Sequence, residues 1–521
     1  MSRRVKDLII SFSLSNLCFL SAWLVLLNPY HHVYYFWKEN PGLVEVETLT
    51  VAILCLAAVF WLCSSIVRKS KNSRLYKFAQ IGFLLCLGWP INSFLTDYLF
   101  VPPGELVRKG FPQLAIAALI AIVLILVLVR YSTPATHIAL QLVLILSPLY
   151  VVNLVSVVYL QRRYASTISS SGNTRELRGH APTNTRVVWI IFDELEQSLP
   201  FEKRPPELSL PEFDRLRQQA IVATSAFPPT EKTLTALPAL VTGQLVEHAS
   251  AIGSNDLRLV LSDGRDSRWS ELSNVFREAG DEGFTSGLAG WYHPYCRVLQ
   301  KDLDWCFWVP QLGGTNPAPG KLTFWESLSK SVSRAAYRLP FVFRVFRYRY
   351  YARQRWDRAE ELFEISTAAD YLLRRKFNLT FLHFPIPHPP WIYDAHTKEL
   401  ASYDTSYLDN VALADKQLGN VRKTLEEMGE WDRTVVLVSG DHWWRKDPPE
   451  TNTRLDHRVP FMLKLAGQNS TEEYRTPFNT ILTRDLVIRL LRDDLKNPKE
   501  VEDWLNRNSR YAESPFTINA P

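Results

Sequence analysis

The sequence predicts an α/β protein in two parts: an N-terminal bundle of about five transmembrane helices, then an extracytoplasmic α/β domain with a mostly parallel central sheet. Three observations carry this. The first third of the chain is crowded with apolar runs of about 20 residues, long enough to cross a bilayer core. The remainder carries short continuous apolar runs of strand length that alternate with helical patterns, as in a sheet covered on both faces. Acidic residues and histidines stand at the ends of those runs, where open α/β sheets keep their chemistry.

The spans come first along the chain. Leu8–Leu27, Thr48–Val67, Leu114–Val129 and Ile138–Leu160 are predominantly apolar, and Phe78–Leu95 is a weaker third candidate because Pro90 and Asn92 sit inside it. Proline is tolerated in a membrane helix where neighbours satisfy the freed backbone groups. Arg3, Arg4 and Lys6 precede the first run, and Arg68, Lys69, Lys71, Arg74 and Lys77 fill the loop after the second. By the bias of short loops toward Lys and Arg on the cytoplasmic side, both read as cytoplasmic. Five spans then place everything after Leu160 outside the cytoplasm. A cleavable signal peptide is the competing reading of the N-terminus, disfavoured because the run is long and no small-residue cleavage pattern follows.

Composition agrees. The 521 residues carry 59 Lys+Arg against 53 Asp+Glu, a formal charge of +6, too mild for a dedicated nucleic-acid binder. The mean hydropathy of -0.09 averages an apolar third and a polar remainder. At 47% hydrophobic with 16 Trp, disordered, collagenous and low-complexity classes are excluded. Six Cys are too few for a disulfide scaffold. Four of them, Cys18, Cys55, Cys63 and Cys86, lie in or beside spans. Cys296 and Cys306 are alone in the exported part and are expected to pair in an oxidising compartment.

The expected layout is an anchor over 1–160, a Ser/Thr/Asn/Arg-rich linker over 161–186 and a catalytic domain over 187–521. Its strands are Val187–Phe192, Phe377–Phe384, Thr434–Ser439 and Val459–Leu465, with helical patterns over Tyr407–Met428 and Ile481–Leu495. After the first strand comes Asp193-Glu194, after the second Pro385-Ile386-Pro387-His388, after the third Gly440-Asp441-His442, and just before the fourth Asp456-His457-Arg458. Any one of these is an ordinary helix cap or loop residue. Together they put carboxylate oxygens and imidazoles at one sheet edge, a donor set for zinc, manganese or calcium.

This order of motifs, with Leu240-Val241-Thr242-Gly243 after a Thr-rich segment, then His388-Pro389, Ser439-Gly440-Asp441-His442 and His457-Arg458-Val459-Pro460, resembles the sulfatase branch of the alkaline phosphatase superfamily over about residues 187–465. With spans in front it is most similar to membrane-anchored members, the phosphoethanolamine transferases and more distantly the lipoteichoic acid synthases. The resemblance implies a nucleophile about nine residues before the Thr-Gly pair, which falls on Thr233, with Thr230 and Thr235 as rivals. A hydroxyl needs such activation, since coordination to a divalent cation lowers its pKa. The resemblance also implies Asp193, Asp441 and His442 as ligands beside Thr233, with Glu194 a fourth ligand or a group that orients one. Zinc is the first choice, manganese or calcium the alternatives. His388 and His457 would hold the transferring group and protonate the leaving oxygen. His383 reads as structural, and Lys232 as a possible anion contact.

Departures limit the carry-over. Thr235 and Leu237 replace the Pro and Arg of the formylglycine-forming motif, so a formylglycine sulfatase is not expected. The strand-one sequence Asp193-Glu194-Leu195 and the single exported Cys pair differ from lipid A phosphoethanolamine transferases. A separate feature, Tyr337–Arg358, interleaves seven Arg with Tyr, Phe and Trp and reads as a segment for an anionic membrane surface. The expected function is metal-dependent transfer of a phosphoryl-type group, such as phosphoethanolamine, from a membrane lipid through a covalent Thr intermediate to a glycan or lipid acceptor. It would take place at the inner membrane on the periplasmic or extracellular side. A phosphate or sulfate ester hydrolase is the alternative, and a non-catalytic scaffold the third reading. Partners are membrane lipids and a lipid-linked or glycan substrate, without nucleic acid.

Overall fold

The computed structural model describes residues 2–27, 33–36, 43–70, 72–97, 130–165, 183–310, 323–339, 343–403, 405–445 and 456–509. The chain forms two compact units that interleave along the sequence. Met1–Val33, Glu39–Thr167 and Gly314–Tyr351 make one; Tyr34–Lys38, Ile168–Gly313 and Ala352–Pro521 make the other. Two segments thus depart from the single cut over 161–186 expected from sequence: Tyr34–Lys38 joins the second unit, and Gly314–Tyr351 joins the first. Most of that expected linker lies outside the described residues.

In the first unit three helices are long and apolar enough to cross a membrane: Val44–Lys69, Ser73–Thr96 and Ser132–Leu160. Arg3–Cys18 and Leu20–Leu27, bent by 62° at their junction, make a fourth if taken as one span. These correspond to the second, third, fifth and first expected spans. The expected fourth, Leu114–Val129, lies outside the described residues. The weak third span is interrupted at Leu87, one turn before Pro90, whose missing N–H cannot bond back to Cys86. Three polar side chains within the helices illustrate the partners that a low-dielectric setting favours. Trp23 Nε1 donates to Asn16 Oδ1 at 2.7 Å, Ser13 Oγ to the Val143 carbonyl at 2.6 Å, and Asn92 Nδ2 to the Arg338 carbonyl at 2.9 Å. Trp23, Leu49, Ile53 and Val157 pack inside. Leu62, Ile66, Phe78, Ile138 and Val155 are exposed, an apolar surface larger than water tolerates.

The second unit is built on a nine-stranded sheet. Its strands are β1 (Arg186–Asp193), β2 (Ile221–Phe227), then, after a separate three-stranded sheet of β3 (Val246–Ala251), β4 (Leu257–Leu261) and β5 (Asp266–Arg268), β6 (Ser286–Trp291), β7 (Trp305–Val309) and β8 (Leu379–Pro387). A hairpin of β9 (Tyr393–Asp394) and β10 (Glu399–Leu400) follows, and the sheet is completed by β11 (Thr434–Gly440), β12 (Val459–Lys464), β13 (Glu472–Tyr474) and β14 (Phe478–Asn479). The order is β13-β2-β12-β11-β1-β8-β6-β7, with β14 beside β2. Every pairing is parallel except those of β12 with β11 and β2.

The continuous apolar runs have the expected cause. All eight β1 residues are buried. Val187, Trp189 and Ile191 face one core, which helices Thr233–Thr242, Val275–Asp281 and Thr483–Leu491 cover. Val188, Ile190 and Phe192 face the other, covered by Leu362, Ile365 and Leu372 and by helix Tyr407–Glu427. Alternation across the pleat makes both faces apolar, so no polar position appears in the run. The two expected cysteines pair, Cys296 with Cys306.

Candidate active site

Strand direction gathers the predicted residues. β1, β8 and β11 are parallel, so Asp193, His388 and Asp441-His442 leave the sheet at one edge. β2 is antiparallel to β12, which is antiparallel to β11, so β2 ends at that edge too and delivers Pro228–Lys232 to helix Thr233–Thr242. The reversed direction of β12 explains why Asp456-His457-Arg458 precede their strand: its start, not its end, lies at the carboxyl edge.

Asp193, Asp441 and His442 are all buried, and each offers a ligand atom within 4.8 Å of the others. Thr233, 6% exposed, is the first residue of its helix. Its Oγ1 lies 3.1 Å from His442 Nε2 and 3.4 and 3.5 Å from the two Asp193 oxygens, long for hydrogen bonds. Of its rivals, Thr230 and Thr235 join hydroxyls at 2.7 Å, closing the turn before the helix. Lys232 is exposed beside Glu231.

The residues fit a divalent cation. His442 Nδ1 donates to the Trp443 carbonyl at 2.9 Å, which leaves the Nε2 lone pair for the cluster. Asp441 Oδ1 accepts from the backbone N–H of Glu194 at 3.1 Å and of His442 at 2.8 Å, while its Oδ2 is buried with no hydrogen-bond partner among the described residues. Burial, reinforced by the Asp441 and Glu194 carboxylates, pushes the Asp193 carboxyl well above the usual carboxylate range. Buried like charges are relieved by a dication, and two carboxylates with one imidazole suit zinc or manganese.

Glu194 does not point its carboxylate into this group. The residue adopts a left-handed φ of 63°, and Arg445 donates to its Oε1 from Nη2 at 2.9 Å and Nε at 3.1 Å. What Glu194 offers the cluster is its N–H, while its carbonyl accepts from the Tyr407 hydroxyl at 2.9 Å.

His388 is tied to the same centre through its backbone N–H, which donates to the Asp193 carbonyl at 3.0 Å. Its Nδ1 donates to the Pro389 carbonyl at 2.6 Å, leaving Nε2 as an acceptor. Burial, then the adjacent Arg358, holds its pKa well below the ordinary imidazole value. His457 stacks on Trp443 with centroids 4.3 Å apart. His383, expected to be structural, is fully buried with Nδ1 3.0 Å from both the Trp291 carbonyl and the Tyr295 hydroxyl.

Arg358 corrects an expectation. Read as the end of a membrane-surface stretch, it is 2% exposed. It donates to the Pro385 carbonyl at 2.8 Å and the Pro389 carbonyl at 3.1 Å, and lies 4.2 Å over the Trp291 ring. It therefore brackets the turn that carries His388. Its position in a run of Arg and aromatic residues hid this role, and Arg445 carried no sequence signal at all. The side chains of 340–351, the middle of that run, lie outside the described residues.

Fold and site together define an α/β enzyme of ester-bond chemistry with a buried carboxylate-imidazole cluster beside a helix-terminal threonine. Residues 185–483, more than half of the chain, match the Sulfatase family, and the protein belongs to it. No curated protein matches the chain. Among solved structures, the phosphonate monoester hydrolase of Agrobacterium radiobacter aligns with a TM-score of 0.38 at 15% identity, covering 59% of this chain and 73% of its own. A protein of the alkaline phosphatase superfamily from Vibrio parahaemolyticus gives 0.37 at 13%, covering 64% and 74%. The lipoteichoic acid synthase LtaP from Listeria monocytogenes gives 0.37 at 16%, covering 63% and 77%.

Proposed function

We propose that this protein transfers a phosphoryl-type group, phosphoethanolamine being the first candidate, from a membrane phospholipid to a glycan or lipid hydroxyl outside the cytoplasm. Thr233 carries the group between the two half-reactions. The supporting observation is the buried Thr233 hydroxyl at a helix N-terminus, 3.1 Å from His442 Nε2 and beside Asp193. A helix start favours the negative charge of a phosphoryl group. Asp193, Asp441, His442 and Thr233 would hold a divalent cation, zinc first, which when bound polarises the phosphoryl oxygens and lowers the pKa of a coordinated hydroxyl.

Thr233 Oγ, having lost its proton to solvent, enters as the alkoxide, the form in which it is also released, and forms the bond to phosphorus while the bond from phosphorus to the lipid's glycerol oxygen breaks. His457 supplies the proton that this oxygen takes. In the second half the acceptor hydroxyl loses its proton to the neutral Nε2 of His388, bonds to phosphorus and releases Thr233. Arg445, held by Glu194, flanks the cluster with positive charge for the anionic group. The paired cysteines and the basic loops around the first two spans support an inner-membrane protein whose catalytic unit faces the periplasm.

The test is the intact mass of the full chain purified from native membranes. Wild type is expected to carry an adduct whose mass separates phosphoethanolamine, phosphoglycerol and sulfate, and Thr233→Ala to lack it. An adduct that survives in Thr233→Ala would sink the nucleophile assignment. Bound metal with no adduct, but with release of free headgroup, would favour the ester hydrolase.

A further inference from the structure

Tyr34–Lys38 lies between the first two apolar runs in sequence, yet belongs to the catalytic unit. Tyr35 is fully buried there. Its hydroxyl lies 2.9 Å from His293 Nδ1, and His293 Nε2 lies 3.0 Å from the Thr233 carbonyl. A carbonyl only accepts, so Nε2 carries the proton, Nδ1 accepts, and the Tyr35 hydroxyl donates: one polarity satisfies all three groups. His293, itself 0% exposed, is walled in by Trp269, Tyr292 and Tyr295, with ring centroids 4.9, 5.0 and 5.6 Å away. Arg297 Nη2 donates to the Tyr35 carbonyl at 3.2 Å, and the Phe36 ring meets Tyr292 edge-on at 4.8 Å. Both ends of the relay are therefore held.

We infer that Tyr35, acting through His293, is a positioning residue that fixes the first turn of the Thr233–Thr242 helix and so aims the Thr233 hydroxyl. Neither residue touches the reacting atoms. The N-cap Lys232 carbonyl opens the helical hydrogen-bond ladder, accepting from Ala236 N–H at 2.8 Å; the Thr233 carbonyl is the next acceptor of that first turn, and the His293 donor on it sets the direction in which the helix leaves the turn. That the aimed hydroxyl is a nucleophile rests on the function proposed above; the prop itself does not.

The test uses the full chain in detergent with zinc. Tyr35→Phe removes one oxygen and keeps the packing. Amide exchange of residues 234–237 is expected to rise about ten-fold while β1 and the melting temperature stay unchanged. With bis(4-nitrophenyl) phosphate as probe, kcat is expected to fall about ten- to a hundred-fold at constant KM. In a His293→Phe background the Tyr35 change should add nothing, because the relay is already cut. Wild-type exchange in Tyr35→Phe overturns the inference, as do additive effects in the double variant. Loosening spread over the whole sheet also overturns it, since that is packing alone. If Thr233→Ala turns over the probe like wild type, the nucleophile reading fails while the exchange data still decide the prop. They decide it equally if the probe is not a substrate.

Discussion

Gly440 ends β11 one residue before Asp441, and its replacement by alanine tests how tightly the cluster is aimed. A Cβ there would sit within 3.0 Å of the Leu195 carbonyl oxygen and 3.3 Å from both the Leu195 carbonyl carbon and Val459 Cγ1. Two of these three atoms are backbone of the loop after β1, so no side chain can swing clear. The loop must move against the central strand, and overpacking of this kind costs about 2 kcal/mol, or about 3 °C in melting temperature for a unit of this size. The same movement stretches the 3.1 Å bond from Glu194 N–H to Asp441 Oδ1. Loss of an orienting bond to a ligand weakens metal affinity by about ten- to a hundred-fold. Scanning fluorimetry and zinc competition against a chromogenic chelator read the two effects separately. A Gly440→Ala protein that melts within about 1 °C of wild type and holds zinc equally well would refute the reasoning.

Two further outcomes are expected. Arg358→Lys keeps the charge but cannot reach both Pro385 and Pro389 carbonyls while lying on Trp291; kcat on an aryl phosphate ester should drop about ten-fold or more, and an unchanged kcat would show that the His388 turn holds itself. Asp415, 4% exposed and accepting from Phe213 N–H at 2.7 Å, has its carboxyl raised by burial from 3.8 to about 6. The folded state then binds this proton more tightly than the unfolded one. Its stabilising share is full below about pH 3.8 and is lost as pH rises through about 6, with an upper bound of about 3 kcal/mol. Asp415→Asn should flatten the melting temperature between about pH 4 and 7, and an unaltered pH dependence would place the decline elsewhere.

The central strands were legible because each is covered on both faces, so Val187–Phe192 and Thr434–Ser439 carry no polar interruption. Asp193, Asp441 and His442 were legible because they directly follow such runs. Direction was not: β12 is as apolar as β11, and only pairing shows that it runs the other way and brings His457 to the edge with its start. Nor was the Glu194 carboxylate legible, since its partner Arg445 lies 251 positions away in a stretch whose composition says nothing of β1. Arg358 was misread for a related reason. A basic-aromatic run looks alike whether it faces lipid or closes over Trp291, and burial, which separates the two, is a tertiary property.

The Tyr35–His293 contact spans 258 positions, and this bears on how the protein is made. Tyr35 leaves the ribosome among the first spans, long before any strand that builds its pocket exists. Contacts of such separation form only after the intervening chain has been ordered. Docking of Tyr35 is thus a late event in biogenesis, and a nascent chain with a folded sheet but an undocked Tyr35 would hold the first turn of the Thr233–Thr242 helix loosely until assembly is complete.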